Sequence, residues 1–139
     1  MKRILFFGII LILSSCKEKV SPEDLTLLNG YWEIEQVNLP NGETKAYSVN
    51  TTVDYIQIKD LSGFRKKVYP QLDGTYDTSN DSEHFELIEK PEGYEFHYKT
   101  ELSEWTEKLN SLQADSFSVT NTDNITYTYK RFQPINVQK

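Results

Sequence analysis

The sequence predicts an all-β domain of short antiparallel strands, preceded by one short helix. From residue 31 onward, apolar and polar residues alternate in short runs, which is typical of strands with one buried face. Residues that favour turns separate these runs, as in Asn41-Gly42, Asp73-Gly74 and Pro91-Glu92-Gly93. The chain also contains nine Tyr, seven Phe and two Trp, and aromatic side chains favour pleated, half-buried surfaces. Together these three observations indicate an antiparallel β fold.

A short helix is predicted just before the strands. Ser21 provides an N-cap, Pro22 suits the first helical position, and Glu23 with Asp24 place acidic groups in the first turn. Leucines at positions 25, 27 and 28 then supply an apolar side, and Asn29-Gly30 ends the helix. The helix therefore has a face that can pack on the strands.

The alternating runs define nine predicted strands, with a turn expected at residues 61–63. The strands cover residues 31–38, 52–59, 63–69, 74–78, 84–89, 94–100, 104–110, 116–120 and 125–132. Because successive side chains of a strand point to opposite faces, apolar residues two positions apart share a face. The predicted inward residues are Trp32, Ile34, Phe85, Leu87, Tyr94, Phe96, Tyr98, Phe117, Val119, Ile125, Tyr127 and Tyr129. Their polar neighbours, including His84 and His97, are expected to point outward.

Residues 102–112 permit two interpretations. Leu102, Trp105, Leu109 and Leu112 recur at the spacing of an amphipathic helix. Trp105 and Leu109 also share one face of a strand, and the flanking Thr, Ser and Asn residues are indifferent helix formers. We favour a strand and keep the helix as the alternative.

The first 15 residues have the layout of a secretory signal. Lys2 and Arg3 form a positively charged start, residues 4–13 are all apolar or glycine, and two serines follow. A helix that crosses a bilayer needs about 20 apolar residues, and this run is half as long. The segment is therefore expected to be a cleaved signal and not a membrane span.

Leu13-Ser14-Ser15-Cys16 closes this signal on the only cysteine of the chain. The stretch resembles the lipobox of bacterial lipoproteins, which has Leu three positions before the cysteine and small residues between. The resemblance implies a diacylglyceryl thioether on Cys16, cleavage before it and acylation of the new amino terminus, so that acyl chains anchor the protein in a membrane. Lys17 stands where lipoproteins of the inner membrane often have Asp, which favours the outer membrane. Whether the domain faces the periplasm or the cell surface stays open.

These features divide the chain into a signal peptide at residues 1–15, a lipidated tether at 16–20, a β-barrel domain at 21–133 and a C-terminal tail at 134–139. Without Lys2 and Arg3, 13 basic residues stand against 21 acidic ones, a net charge of −8. Nucleic-acid binding depends on clustered Lys and Arg, so no nucleic-acid partner is expected. With Cys16 lipidated, no disulfide can form within the chain.

Gly30-Tyr31-Trp32 opens the first strand, and a run of six residues from Tyr127 to Phe132 closes the last one. This arrangement resembles the lipocalins and the lipocalin-like lipoproteins of Bacteroidetes-type bacteria, in which a Gly-x-Trp motif starts the first strand. The resemblance implies an antiparallel up-and-down barrel of about eight strands, with Trp32 closing the narrow end. It also implies a basic residue of the last strand packed across the indole. Arg131 has the inward phase of Tyr129 and is the candidate for this cation–π contact.

Barrels of this size are either filled by their own side chains or hold one small ligand. The candidate ligand-lining residues are Tyr94, Phe96, Tyr98, Tyr127 and Tyr129, because tyrosine combines an apolar body with a hydroxyl group. One hypothesis is therefore a lipoprotein that binds or carries a small apolar or amphipathic ligand. The other is a filled barrel that serves as an interaction or structural module of the outer membrane, with an envelope protein as partner.

No convergent set of catalytic groups is evident in the sequence, so neither an enzyme activity nor a cofactor is predicted. His84 and His97 lack the spacing of metal ligands, and no metal site is predicted. The acidic residues expected on solvated strand faces are Glu83, Glu86, Glu89, Glu101, Glu104 and Glu107. Arg65-Lys66-Lys67 is the only basic run, with two interpretations left open. It could contact anionic lipid head groups or a partner's acidic groups, or it could protect an exposed edge strand by its charge.

Overall fold

The computed structural model describes residues 18–134. The predicted signal, Cys16, Lys17 and residues 135–139 lie outside the described residues. A 3₁₀ helix at Pro22–Leu28 precedes the strands. The strands are β1 Gly30–Asn38, β2 Thr44–Ala46, β3 Val53–Lys59, β4 Ser62–Pro70, β5 Tyr76–Lys90, β6 Gly93–Lys99, β7 Glu104–Leu112, β8 Ser116–Asn121 and β9 Thr126–Arg131. No helix in this part of the chain has the length and apolar character required to cross a membrane.

Eight of these strands form a closed antiparallel up-and-down barrel, which confirms the predicted fold class. β1 and β3 to β9 pair in chain order, and β9 pairs with β1 to close the barrel. β1 divides its other edge between two partners, because residues 30–32 pair with β3 and residues 36–38 pair with β2. The sequence does not predict β2, since its three residues are all exposed and show no alternation.

The connections alternate between the two ends of the barrel. One end, which we call the helix end, carries the N-terminal helix and the connections 60–61, 91–92 and 113–115. The other, which we call the loop end, carries the connections 39–52, 71–75, 100–103 and 122–125. Two hydrogen bonds hold the last part of the 39–52 connection against β1. The Tyr47 amide donates to the Glu35 carbonyl and Asn50 Nδ2 donates to the Ile34 carbonyl, both at 2.9 Å.

β5 differs from the prediction of two separate strands at residues 74–78 and 84–89. It is one strand of 15 residues, Tyr76–Lys90. The polar residues in its middle do not form a turn, because the strand stays paired with β4 through a register shift between Lys66 and Val68. A local irregularity in pairing therefore takes the place of the expected chain reversal.

The turn predicted at residues 61–63 lies one residue earlier. Asp60 and Leu61 reverse the chain between β3 and β4, and Asp60 has the positive φ of 57° that such two-residue turns require. Gly63 is part of β4 and not of the turn. A Cβ at this position would collide with the carbonyl oxygen of Gln57. Position 63 therefore requires glycine because there is no space for a side chain, and not because the chain reverses there.

Residues 104–112 form a strand, which confirms the favoured interpretation of this segment. β7 pairs with β6 on one side and with β8 on the other. Leu102, which belonged to the helical pattern, lies before the strand and is 97% exposed. An amphipathic helix would have buried that side chain, so the spacing of the leucines is coincidental.

The N-terminal helix spans the residues that the sequence predicts. Ser21 has the extended backbone of an N-cap, but its hydroxyl group makes no capping hydrogen bond. Leu25 and Leu28 are buried against the barrel. A helix this short has little stability of its own, so its packing on the barrel holds it in place.

The helix-end half of the barrel is filled by its own side chains. Of the predicted inward residues, Trp32, Phe85, Leu87, Tyr94, Phe96, Tyr98, Phe117, Val119 and Tyr129 are buried, and Ile34, Ile125 and Tyr127 are partly buried. A void that holds water would leave exposed surface on the side chains around it. Leu87 and Phe96 are only 1% exposed. This half of the interior is therefore packed.

Candidate functional site

Trp32 and Arg131 lie together at the helix end of the barrel. The indole is fully buried, and its Nε1 donates a hydrogen bond to the carbonyl oxygen of Leu28 at 2.8 Å. β1 and β9 place the two residues opposite each other, and Cζ of Arg131 lies 3.8 Å from the centroid of the indole. The structure thus brings together, in a cation–π geometry, the pair that the lipocalin resemblance implies.

Arg131 also joins three parts of the chain through hydrogen bonds. Nη1 donates to the carbonyl oxygen of Asn29 at 2.7 Å, and Nη2 donates to that of Leu27 at 2.8 Å. Nε and Nη2 both donate to the carbonyl oxygen of Ala114, at 3.1 and 2.8 Å. Burial lowers the pKa of Arg131, and the nearby Asp115 opposes this shift. One side chain therefore satisfies carbonyl groups at the end of the helix and secures the connection between β7 and β8.

Gly30→Ala is expected to weaken this closure. Gly30 has a φ of +123°, and a Cβ there would lie 2.7 Å from Nη1 of Arg131. The substitution strains the backbone and displaces the guanidinium group, so we expect a loss of about 1–3 kcal/mol in the free energy of unfolding, measured by urea denaturation. Gly42→Ala is the matched control, because Gly42 also has a positive φ of 89° but no atom within 4 Å of an added Cβ. Equal losses from both variants would mean that the strained backbone alone, and not the contact with Arg131, causes the loss of stability at Gly30.

The interior of the loop-end half contains charged side chains. Arg65 lies opposite Ile56 of β3 and Glu83 of β5, and its side chain is 13% exposed. Its guanidinium group lies 2.8 Å from a carboxylate oxygen of Glu83 and 3.6 Å from one of Glu107. Its Cζ lies 4.6 Å from the centroid of the Tyr98 ring. We call Arg65, Glu83, Glu107 and Tyr98 the arginine cluster.

Burial and neighbouring groups shift the pKa values of three residues of the arginine cluster, Glu107, Tyr98 and Arg65. Burial raises the pKa of Glu107, and the charge of Arg65 offsets this only in part. Burial also raises the pKa of the Tyr98 hydroxyl far above its ordinary value. For Arg65, burial alone would lower the pKa, but the surrounding phenol and carboxyl groups outweigh it and the pKa is raised. The cluster therefore joins a permanently charged cation to a carboxyl group that protonates more readily than an exposed glutamate.

Asp54 lies directly opposite Trp32 in the pairing of β1 with β3, and it forms a second charged pair with Lys67. The Asp54 side chain is 3% exposed and that of Lys67 is 49% exposed. Nζ of Lys67 lies 2.5 Å from Oδ1 of Asp54. Asp54 is therefore a buried carboxylate whose counter-charge is the half-exposed ammonium group of Lys67.

The basic run Arg65-Lys66-Lys67 is not part of an edge strand, so that interpretation from the sequence is wrong. Contact with lipid head groups or with a partner's acidic groups stays a prediction. β4 is paired on both sides, with β3 and with β5. Arg65 and Lys67 share one face of β4 and form ion pairs with Glu83 and Asp54. Only Lys66 has the opposite phase. The three charges are therefore divided between the two faces of one strand.

Glu107 does not lie on a solvated face, as the sequence predicted for it. In β7 it alternates in phase with Trp105 and Leu109, and like Leu109 it is buried. Of the six acidic residues predicted on solvated strand faces, four are exposed, as predicted: Glu86, Glu89, Glu101 and Glu104. The phase of Glu107 between two apolar residues was a signal in the sequence that could have identified it.

A cavity of about 330 Å³ lies beside Asp54, between β1, β3, β4 and the end of the 39–52 connection. We call it the Asp54 cavity. Its lining residues are Trp32, Ile34, Tyr47, Val49, Asn50, Thr51, Thr52, Asp54 and Lys67. Tyr47 and Val49 are exposed, whereas Asp54 is buried, so the cavity has apolar groups at its rim and a carboxylate inside. The lining thus combines four apolar or aromatic residues with five polar or charged ones, which suits an amphipathic small molecule.

An open depression of about 970 Å³ lies over β4 to β7. Phe64, His84, His97 and Lys99 are among the side chains that line it. Both histidines point outward, as predicted, and Nε2 of His97 lies 2.9 Å from a carboxylate oxygen of Glu95. In the described part of the chain, no group of three or more His, Cys, Asp or Glu side chains is arranged to hold a metal ion. The depression is thus a broad surface of mixed polar and aromatic character.

The residues predicted to line a ligand site pack against one another. Tyr94, Phe96, Tyr98 and Tyr129 are buried in the core, and Tyr127 is partly buried beside it. The rings of Phe96 and Tyr98 are stacked with centroids 5.7 Å apart, and Tyr129 stacks on Phe117 at 4.6 Å. None of the five lines the Asp54 cavity, and their role toward a ligand stays a prediction.

No protein family model matches this chain, and no curated protein matches it. Among solved structures, a lipocalin-like protein from Bacteroides uniformis aligns with a TM-score of 0.48 and 13% identity, over 76% of this chain and 99% of that one. An uncharacterized protein from Bacteroides eggerthii aligns with a TM-score of 0.48 and 12% identity, over the same shares of the two chains. We base the fold assignment on the closed barrel of this chain itself.

Proposed function

We propose that this protein is a lipid-anchored lipoprotein of the outer membrane whose barrel binds a small amphipathic ligand at the loop end. The observation that carries the proposal is where the chain enters the barrel. Nζ of Lys19 donates a hydrogen bond to the carbonyl oxygen of Pro91 at 2.6 Å, at the helix end. Lys19 is three positions after Cys16, a stretch of chain that spans at most about 11 Å. An acylated Cys16 would therefore hold the helix end at the membrane and direct the loop end away from it.

The difference between the two halves of the barrel supports binding at the loop end. The helix-end half is filled by side chains such as Phe96 and Leu87. The loop-end half contains the Asp54 cavity, which combines an apolar rim with a buried carboxylate. A ligand that fits it has an apolar part and a polar part. We propose a binding role without catalysis.

The packed helix-end half also supports a second candidate, a filled barrel that works through contact with an envelope protein. The open depression over β4 to β7 would offer such a partner an accessible surface with Phe64, His84 and His97. The two candidates differ in what accompanies the purified protein, which is a small molecule in the first case and a protein in the second.

Native mass spectrometry of the full-length protein, purified in mild detergent from a bacterial host, separates the two candidates. For the ligand-binding function we expect an adduct of defined mass that organic extraction releases. A bare protein mass, unchanged after incubation with fatty acids and with an extract of small molecules from the cell envelope, would contradict it. A co-purifying envelope protein would then favour the filled barrel.

Cys16→Ser is expected to abolish lipidation, because serine lacks the thiol that forms the thioether. Intact mass and membrane fractionation measure the result: the variant should lose the mass of the acyl chains and leave the outer-membrane fraction. Ser14→Ala, which keeps a small residue before the cysteine, is the matched control and should stay lipidated. A Cys16→Ser protein that stays membrane-bound at an unshifted mass would show that the anchor lies elsewhere.

A further inference from the structure

We propose that the ligand of the Asp54 cavity is an uncharged molecule with a hydroxyl-bearing head and a short apolar part, which binds without opening the ion pair of Asp54 and Lys67. This inference rests on the proposed ligand-binding function and narrows its ligand class. Within residues 18–134, Asp54 and Lys67 are the only charged residues that line the cavity, and their charges meet at 2.5 Å. The lining therefore offers a ligand no unbalanced charge.

The ion pair disfavours charged ligands of either sign. The Asp54 side chain is 3% exposed, so a cationic ligand that displaced Lys67 would have to break a buried pair, which is costly. An anionic ligand at Lys67 would lie beside the negative charge of Asp54. Glu83 and Glu107 share the charge of Arg65 and do not line the cavity. Only an uncharged ligand leaves the balance of charge as it is.

The groups that remain for hydrogen bonding suit a ligand hydroxyl. An ammonium group has three N–H donors, so Lys67, whose side chain is 49% exposed, can keep Asp54 and also donate to a ligand oxygen. Thr51 and Thr52 add hydroxyl groups to the lining, and these can donate or accept. A ligand hydroxyl can accept from the lysine and donate to a threonine, whereas a carbonyl oxygen can only accept. The head group is therefore expected to carry hydroxyls.

The rim of the cavity indicates the apolar part of the ligand. Tyr47 and Val49 are exposed there. The Tyr47 amide and the Asn50 side chain bond to carbonyl groups of β1, which holds the rim beside Ile34. The volume of about 330 Å³ is near the lower limit of small-molecule pockets, so the apolar part is short. The ligand class is a small neutral amphiphile, such as an alkyl diol.

Saturation-transfer NMR on the full-length protein in phosphatidylcholine nanodiscs tests the proposal. The probe is 1,2-hexanediol, and sodium hexanoate and hexylammonium chloride are charged probes of the same chain length. Empty nanodiscs correct for partition of each probe into the lipid. We expect the diol to bind at least about tenfold more tightly than either charged probe, because only the diol leaves the ion pair balanced.

Two pairs of variants locate the binding. Thr52→Val removes a hydroxyl group at nearly constant volume and should weaken diol binding about three- to tenfold. Thr122→Val makes the same change in a loop-end connection outside the cavity and should have no effect. Val49→Ser should weaken binding by a similar factor, because it removes apolar surface from the rim. Leu102→Ser, at an exposed position of another connection, is its control.

Lys67→Met tests the reason for the preference. It leaves the buried carboxylate of Asp54 without its counter-charge, so hexylammonium should bind this variant at least about tenfold more tightly than it binds the unmodified protein. Hexanoate should not gain. If the variant does not fold, the charged probes on the unmodified protein and the Thr52→Val variant decide.

Three results would overturn the neutral ligand class. They are a charged probe that binds the unmodified protein as tightly as the diol, diol binding that Thr52→Val and Val49→Ser both leave unchanged, and no diol binding at all. The native mass spectrum separates this failure from that of the proposed function. A released adduct that is a carboxylic acid or an amine would reject the neutral class and keep the ligand-binding function. The absence of any adduct, together with no binding of any probe, would reject the function itself.

Discussion

Arg65→Met is expected to lower the free energy of unfolding by about 3–5 kcal/mol at pH 7.5, a large part of the stability of an ordinary domain. The guanidinium group neutralises Glu83 at 2.8 Å and Glu107 at 3.6 Å and lies over the ring of Tyr98. Methionine keeps much of the apolar length of arginine but none of its charge, so the buried carboxylate of Glu107 loses its counter-ion. Urea denaturation followed by circular dichroism measures the loss.

This loss should shrink as the pH falls. Burial raises the folded-state pKa of Glu107 above its ordinary value, and Arg65 holds that pKa down in part. Without Arg65 the folded-state pKa rises further. A carboxyl group with a raised folded-state pKa costs nothing below the unfolded pKa of about 4.3; the cost grows as the pH rises from that value to the folded-state pKa and is constant above it. The deficit of Arg65→Met is therefore largest above the folded-state pKa of Glu107 and smallest in acid.

A second substitution isolates the role of the carboxylate. The double variant Arg65→Met with Glu107→Gln should recover most of the lost stability at pH 7.5, since no uncompensated charge of Glu107 is left inside the barrel. Arg65→Met combined with Glu104→Gln is the matched control, because Glu104 lies on the same strand with an exposed side chain. If Glu107→Gln restored nothing and the loss were independent of pH, the charge pairing assigned to this cluster would be wrong.

Trp32→Ala is expected to destabilise the protein by about 3–5 kcal/mol, the usual cost of removing a large buried aromatic side chain. The indole has no exposed surface and meets the ring of Phe117 edge to face, with centroids 4.7 Å apart. It also donates to the Leu28 carbonyl and supports the guanidinium group of Arg131. Its removal opens a cavity at the helix end. Guanidinium denaturation monitored by circular dichroism measures the change without relying on tryptophan fluorescence.

Two other substitutions show whether the loss comes from closure of the barrel or from the loss of any large ring. Trp32→Phe should cost less than Trp32→Ala, because it keeps an aromatic face for Arg131 but lacks the donor to Leu28. Trp105→Ala should also cost less, because Trp105 is only partly buried, although it stacks on Tyr98 at 4.9 Å. A loss below about 1 kcal/mol for Trp32→Ala would contradict a fully packed helix end.

Much of the fold follows from local patterns in the sequence. Residues 94–98 alternate without interruption, so both β6 and its inward face could be predicted. The full length of β5 could not be predicted, because the run of polar residues in its middle resembles a turn in the sequence. Only the pairing of these residues with β4 shows that the strand continues through them. The three residues of β2 are all exposed and show no alternation. They form a strand because the free backbone groups of β1 offer them hydrogen bonds, and not because of their own side chains.

By itself, the sequence determined most of the strands and turns and the inward aromatic residues, because alternation and turn chemistry act between near neighbours in the chain. Only the tertiary structure decided that Asp54 and Arg65 lie in the interior and that Arg65 reaches Glu107 there. A charged residue on an inward phase is buried only when a partner from another strand offsets its desolvation. Whether that partner is present depends on the register of paired strands and on the closure of the barrel by β1 and β9, and neither is encoded in any local pattern.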